Sequence, residues 1–285
     1  MPDLLVLWDV DFTLISAAGV GWQLYRIAFA EMFGGEPPAV GSMAGRTDRA
    51  IALRVLMLAG IPDPRGQVAA FQAVLAARAP ELAGLMRERG TVLPGAAEAI
   101  AALALAGTTD AGEPGGAGDG GGAGEGGGAG GTGRTGDVAA DDERRSRLVV
   151  QSLLTGNIRA LAEVKLGALG LTDHLDFEVG AYGDVHEARS ELVGPARRRA
   201  ALAYGRDFSG EATVLVGDTP LDIEAALVTG ARAVGVATGG FSVADLVAAG
   251  AHAVLPDLAD TRRVLTAIMD GSGATMDGPG ATARP

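Results

Sequence analysis

Leu4-Leu5-Val6-Leu7-Trp8-Asp9-Val10-Asp11-Phe12-Thr13 is the stretch on which the reading of the chain turns. Five consecutive apolar residues bounded by carboxylates suit a short strand covered on both faces. Such a strand delivers Asp9 and Asp11 beyond its carboxyl end, the edge of an open parallel sheet where ligands bind. Alternation turns the two toward the same side, about 6.6 Å apart at the Cα level, so that they can serve one reaction centre in two roles. An Asp-rich turn that merely ends a strand reads as well from this stretch alone.

Outward from it, further apolar runs occur at Leu148–Leu154, Thr213–Val216 and Ala233–Ala237, with weaker ones at Phe177–Val179 and Ala253–Leu255. Apolar strands separated by helical patterns predict an α/β fold, a Rossmann-like parallel sheet flanked by helices. Residues 19–89 carry no strand signal and read as helices over Trp22–Met32, Arg49–Ala59 and Val68–Arg89, the last broken near Pro80. That block is too large for an ordinary crossover, so it is expected to be an inserted α-helical domain, with residues 1–18 and 90–270 forming the sheet domain. The chain is expected to re-enter the sheet domain at Pro94-Gly95 and continue in a helix over Ala96–Ala106. Between positions 107 and 136, 16 of 30 residues are Gly; this segment and the tail 271–285 are expected to be disordered, having too little apolar area to offset the entropy of ordering them.

Composition narrows the function classes. The 285 residues are enough for one large or two small domains. Mean hydropathy is +0.24, yet charges such as Arg87 and Glu98 are read as interrupting the apolar stretches before the roughly 18 residues of a membrane span. Met1–Phe12 lacks a basic stretch ahead of its apolar run, so no signal peptide is expected and the protein is read as soluble and cytoplasmic, with no membrane partner. With no Cys, disulfides and thiolate metal sites are excluded. Asp and Glu outnumber Lys and Arg by 35 to 23, a net charge of −12 that would repel a nucleic-acid backbone. Lys165 is the single lysine beside 22 arginines.

Two further strand ends carry candidates. Thr155-Gly156-Asn157 runs into a helix beginning near Ile158, where Thr155 or Asn157 reads as a helix cap and the free N–H groups equally make a phosphate seat. Gly217-Asp218-Thr219-Pro220-Leu221-Asp222 has the signature of a capped helix start, which leaves Asp218 unexplained. Asp9, Asp11, Asp218 and Asp222 would converge on one sheet edge and repel one another unless a hard cation sat among them, and Mg²⁺ takes such oxygen ligands. Lys165, on the apolar stripe of the helix after Asn157, is either a snorkelling surface lysine or a counter-charge for phosphate; about 12 Å of helix rise makes its reach marginal. Arg189 is the competing cation, with an exposed arginine as its ordinary alternative. His174, His186 and His252 show no metal spacing, no Ser or Cys sits in a triad context, and no phosphate-binding G-x-x-x-x-G-K-[ST] loop is present.

In this order at strand ends, Asp9-Val10-Asp11-Phe12-Thr13, Thr155-Gly156-Asn157 and Gly217-Asp218-Thr219-Pro220-Leu221-Asp222 resemble the motifs of the haloacid dehalogenase (HAD) superfamily, with a helical cap of the phosphoglycolate phosphatase-like kind. Phe12 stands where that family has Gly, a departure read as harmless, and the family's Lys-Pro pair before the next strand is missing, so Lys165 or Arg189 must serve, with Lys165 preferred. The resemblance implies a Mg²⁺-dependent phosphatase acting on a small phosphorylated metabolite. Asp9 would be the nucleophile forming an aspartyl-phosphate and Asp11 the general acid and base. The Asp9 side chain, the Asp11 backbone carbonyl, Asp218 and Asp222 would hold the metal. Thr155, Gly156, Asn157 and Lys165 or Arg189 would bind phosphate, and Arg46 would reach the substrate from the cap.

Two alternatives remain at this stage. A sugar phosphomutase of the same superfamily would need a proton shuttle in the insert, which has no His and no Lys. A non-catalytic phosphoacceptor or binding protein would have no use for a lid that excludes water.

Overall fold

A computed structural model describes residues 3–107 and 147–270; the glycine-rich stretch after Gly107 and the tail 271–285 lie outside the described residues. The elements in chain order are β1 (Leu4–Trp8), β2 (Ile15–Ser16), α1 (Val20–Phe33), α2 (Asp48–Leu58), α3 (Pro64–Arg78), α4 (Ala83–Arg89), β3 (Thr91–Val92) and α5 (Ala96–Ala106). There follow β4 (Val149–Thr155), α6 (Arg159–Ala168), β5 (Ala181–Tyr182), α7 (Val193–Tyr204), β6 (Thr213–Gly217), α8 (Pro220–Val228), β7 (Arg232–Val236), α9 (Val243–Ala248), β8 (Ala253–Leu255) and α10 (Thr261–Met269).

Six strands form one parallel sheet in the order β5-β4-β1-β6-β7-β8. Every residue of β1 is buried, and the strand's two faces feed two separate cores. Leu4, Val6 and Trp8 pack with α5, α10 and the helices between β2 and β3, whereas Leu5 and Leu7 pack with α7 and α8. That alternation is why the run is apolar without interruption: both faces of a parallel strand are covered. The buried Trp8 indole is satisfied by Gln151 (3.2 Å), whose amide donates to the Ile100 carbonyl (2.9 Å), tying β1, β4 and α5 together. From β1 the chain passes to β4 and β5 on one side and then returns to β6 on the other. The carboxyl ends of β1, β4 and β6 therefore surround the point where the strand order reverses, which opens a crevice for ligands.

Helices α1 to α4 lie between β2 and β3, and those two strands pair antiparallel, Ile15 with Val92 and Ser16 with Thr91, closing the base of the insertion. Two-residue strands carry no periodicity, so this ribbon has no sequence signal. The helix expected from Val68 begins at Pro64, where Asp63 caps the Gly66 N–H and Pro occupies the first turn. Pro80 falls in a 3-10 turn over Ala79–Leu82, the expected break. Phe177–Val179 is a turn rather than a strand; the edge strand is Ala181–Tyr182, and Tyr182 reaches back to donate to the Phe177 carbonyl (2.7 Å).

The continuous helical run Pro64–Arg89 has the length and the hydropathy, 1.2, of a membrane span by composition, although Arg78 and Glu81 interrupt its apolar residues. Its apolar residues are committed elsewhere: Phe71, Leu75, Leu82 and Met86 are buried in the core shared with α1 and α6.

Candidate active site

Asp9 extends β1 by one residue, its N–H bonding the Val216 carbonyl (2.8 Å), and the chain then turns sharply as Leu14 and Ile15 both donate to Val10. Within this turn Phe12 takes φ 60°, the left-handed region where glycine is at home. The Gly-to-Phe departure is therefore not neutral: a side chain with a ring is held in a conformation that costs about 1–2 kcal/mol.

Asp9, Asp218 and Asp222 converge, each offering an oxygen within 4.8 Å of the others. The approach depends on glycines. A Cβ on Gly217 would lie 2.2 Å from Asp222 Cγ, and one on Gly239 would lie 1.8 Å from Asp218 Oδ2. Asp222 serves both readings of its motif. One oxygen completes a capping box, accepting from the Thr219 N–H (3.0 Å) as Thr219 accepts from Asp222 (3.4 Å), while the other faces Arg189.

Arg189 is buried among these carboxylates, which overturns the exposed-arginine alternative. It pairs with Asp9 (Nη2 to Oδ1, 2.6 Å) and donates to the Leu154 carbonyl (2.7 Å). Its Nε lies 2.8 Å from Asp222 Oδ1, a charge contact whose N–H is not aimed at the oxygen. Burial raises Asp9 to about 6 even though Arg189 pulls it down; Asp222 and Asp11 push the same way as burial. Asp218 is raised to about 8 by burial, then by Asp9 and Asp222. Burial lowers the basicity of Arg189, but the surrounding carboxylates outweigh it and the guanidinium stays charged. One cation against three carboxylates leaves the cluster net anionic. Its all-oxygen donor set and its proton-retaining carboxyl groups fit a hard divalent cation such as Mg²⁺.

Asp11 belongs to a second knot of the same cavity. Lys165 Nζ lies 2.6 and 2.8 Å from its two carboxylate oxygens and 2.7 Å from Asn157 Oδ1. Asn157 Nδ2 in turn donates to Asp11 (2.8 Å) and to Thr155 Oγ1 (2.8 Å). Lys165 is buried, so the surface-lysine alternative fails, and its reach proves sufficient because side chains on a helix lean toward the N-terminus. Both candidate cations line the cavity on different carboxylates: Arg189 touches Asp9 and Lys165 touches Asp11.

Neither Thr155 nor Asn157 caps α6. Its N-cap is Ile158, whose N–H is met by Asp48 Oδ2 (2.8 Å) from the start of α2. Asp48 also accepts from Tyr25 Oη (2.8 Å), and burial raises its carboxyl despite these bonds. The sequence reading missed Asp48; the only local signal is its place beside the N-cap Thr47, which accepts from the Ala50 N–H. The loop before α2 also docks by backbone, Asp48 N–H to Gly156 O (2.6 Å) and Arg49 N–H to Gly183 O (2.8 Å). Arg46 is exposed on the rim of the cavity, its guanidinium without a partner among the described residues. The three histidines lie off the cavity, and His252 accepts from the Ala233 N–H in a structural role.

Asp9, Asp11, Thr155, Lys165, Arg189 and Asp218 all line one cavity of about 360 Å³, closed on the far side by α1 and the Met43–Asp48 loop.

Residues 192–261 match the HAD-hydrolase-like family model. No curated protein matches the chain in sequence. Among solved structures, a hydrolase from Pseudomonas syringae is 18% identical with a TM-score of 0.56, covering 95% of this chain and 100% of that one. A predicted phosphatase from Clostridium acetobutylicum is 14% identical with a TM-score of 0.56, covering 93% and 99%. A provisionally assigned beta-phosphoglucomutase from Bacteroides vulgatus is 12% identical with a TM-score of 0.55, covering 95% and 90%. At these identities the likeness is one of fold: a parallel six-stranded sheet with helices on both faces.

Proposed function

We propose that the protein is a cytoplasmic Mg²⁺-dependent phosphatase that hydrolyses a small phosphomonoester through an aspartyl-phosphate, with neither nucleic acid nor membrane as a partner. The observation that carries this reading is the meeting of Asp9, Asp218 and Asp222 within 4.8 Å on a cavity that Asp11 also lines. The HAD-hydrolase-like match over residues 192–261 supports hydrolysis as the reaction class.

With its carboxyl at about 6, Asp9 is largely ionised at neutral pH and can attack phosphorus. The Asp9 O–P bond forms as the ester P–O bond breaks, and the leaving alkoxide takes a proton from Asp11. Asp11, now a carboxylate held by Lys165 and Asn157, takes a proton from water; the water oxygen bonds to phosphorus, and Asp9 leaves as a carboxylate with release of inorganic phosphate. Arg189 and the Thr155 hydroxyl offer donors to the phosphoryl oxygens, where charge accumulates. The Asp9 and Asp218 side chains and the Asp11 backbone carbonyl would hold Mg²⁺, with Asp222 beside them. Bound there, it would neutralise charge on the transferring phosphoryl group.

The test is turnover of p-nitrophenyl phosphate. Activity should require Mg²⁺, vanish in EDTA and return on re-addition, and Asp9→Asn should lower kcat by about 10³-fold or more. Stable phosphorylation of Asp9 without turnover would instead establish a phosphoacceptor, and metal-independent turnover would remove the Mg²⁺ site from the mechanism.

A further inference from the structure

Beyond the groups already described, much of the cavity lining is apolar. The insert contributes Trp22, Met43 and Ile51, and α6 adds Leu161. Trp22 lies parallel to Tyr25, ring centroids 5.7 Å apart at 14°, which makes a flat aromatic ledge. Two polar groups on this wall are already engaged: Tyr25 Oη donates to Asp48, and the second Asp48 oxygen accepts from Ile158. Arg46, the cation of this loop, stays in solvent at the rim.

Resting on the phosphatase reading, we propose that the substrate is a phosphomonoester whose organic half is small, uncharged and apolar or aromatic. A polyhydroxylated sugar would bury most of its hydroxyls against side chains that cannot bond them, the Trp22 indole N–H being the exception. A carboxylated ester would find no free buried cation on this wall, because Lys165 Nζ is already taken up by Asp11 and Asn157. A flat ring on the Trp22 ledge satisfies both constraints, and the cavity volume limits it to small-metabolite size.

The experiment measures kcat/KM of the full-length protein with Mg²⁺ on benzyl phosphate, butyl phosphate, glucose 6-phosphate and 2-phosphoglycolate, which all release similarly poor alkoxides. Benzyl phosphate is expected to exceed glucose 6-phosphate and 2-phosphoglycolate by tenfold or more. Trp22→Ala should raise KM for benzyl phosphate about tenfold while changing kcat little, and Trp22→Phe should restore it. A preference for the sugar phosphate, or a preference for phosphoglycolate that disappears in Arg46→Ala, would overturn the proposal and leave the phosphatase reading standing. No turnover of any ester, p-nitrophenyl phosphate included, would overturn both.

Discussion

Phe12 is the residue at which the resemblance and the physics part. Its φ of 60° is cheap for glycine and costly for anything with a Cβ, and the residue is 49% exposed where it lines the cavity. Phe12→Ala and Phe12→Gly both remove the ring, so their difference isolates the backbone cost; the Gly variant should be more stable by about 1 kcal/mol in chemical denaturation. Equal stability would mean the turn relaxes in solution. The carboxylates were legible as residues because a strand-end Asp announces itself by position. The cations were legible only as candidates beside a surface alternative, because the burial of Arg189 and Lys165 is decided by partners far away in the chain. The titration of the cluster follows from those contacts. In the metal-free protein Asp9 and Asp218 are raised to about 6 and about 8, so the fold retains protons that an unfolded chain releases near 3.8, and their contribution to stability is lost as pH rises through these values. A cation must displace those protons. Its apparent affinity should therefore weaken by about tenfold per unit as pH falls from 8 toward 6, read by calorimetric titration with Mg²⁺. An affinity that does not change over that range would show the carboxylates already ionised.

At the scale of elements, long helices and buried strands were readable because each repeats one period over several residues. Trp22–Met32 and Arg49–Ala59 correspond to α1 and α2 with ends displaced by one or two residues. What escaped was short or set by contact: the two-residue ribbon at the base of the insert, the edge strand at Ala181, and the cap of α6. That last case shows why local pattern falls short, since the sequence offered Thr155 and Asn157 as caps and the fold used Asp48, far earlier in the chain. Asp48 thereby joins α2 to the helix that carries Lys165. Asp48→Ala strands the Ile158 N–H in the interior and leaves the Tyr25 hydroxyl only the backbone carbonyl of residue 48 (3.0 Å), and should cost about 1–3 kcal/mol. Asp48→Asn, keeping one acceptor, should cost less. Denaturation of the two variants beside the parent protein measures both, and an Asn variant as damaged as the Ala one would mean that the charge, not the acceptor, matters.

Across the whole molecule, the strand reversal at β1 opens a crevice, and the insert roofs it through backbone contacts that leave no room for a side chain. The glycine of the second motif bears directly on this. Its backbone is not in the left-handed region, so alanine is conformationally acceptable there. Yet a Cβ on Gly156 would stand 2.1 Å from the Arg46 carbonyl oxygen, a backbone atom that can yield only if the loop moves. That loop bonds Gly156 and Gly183 through the Asp48 and Arg49 N–H groups, and the Cβ side of Gly183 is packed just as tightly, 1.9 Å from Gly156 O. Gly156→Ala should therefore push the Met43–Asp48 loop outward while the sheet, its two cores and the carboxylate cluster remain. Since a misplacement of about 1 Å can cost about 10²-fold in rate, kcat/KM on p-nitrophenyl phosphate should fall by that order, with circular dichroism and Mg²⁺ affinity unchanged. If instead the variant keeps full activity, the insert is not needed to complete the site, and the phosphoryl chemistry runs on the strand ends alone. If it loses Mg²⁺ affinity as well, the loop supports the acidic cluster as well as covering it.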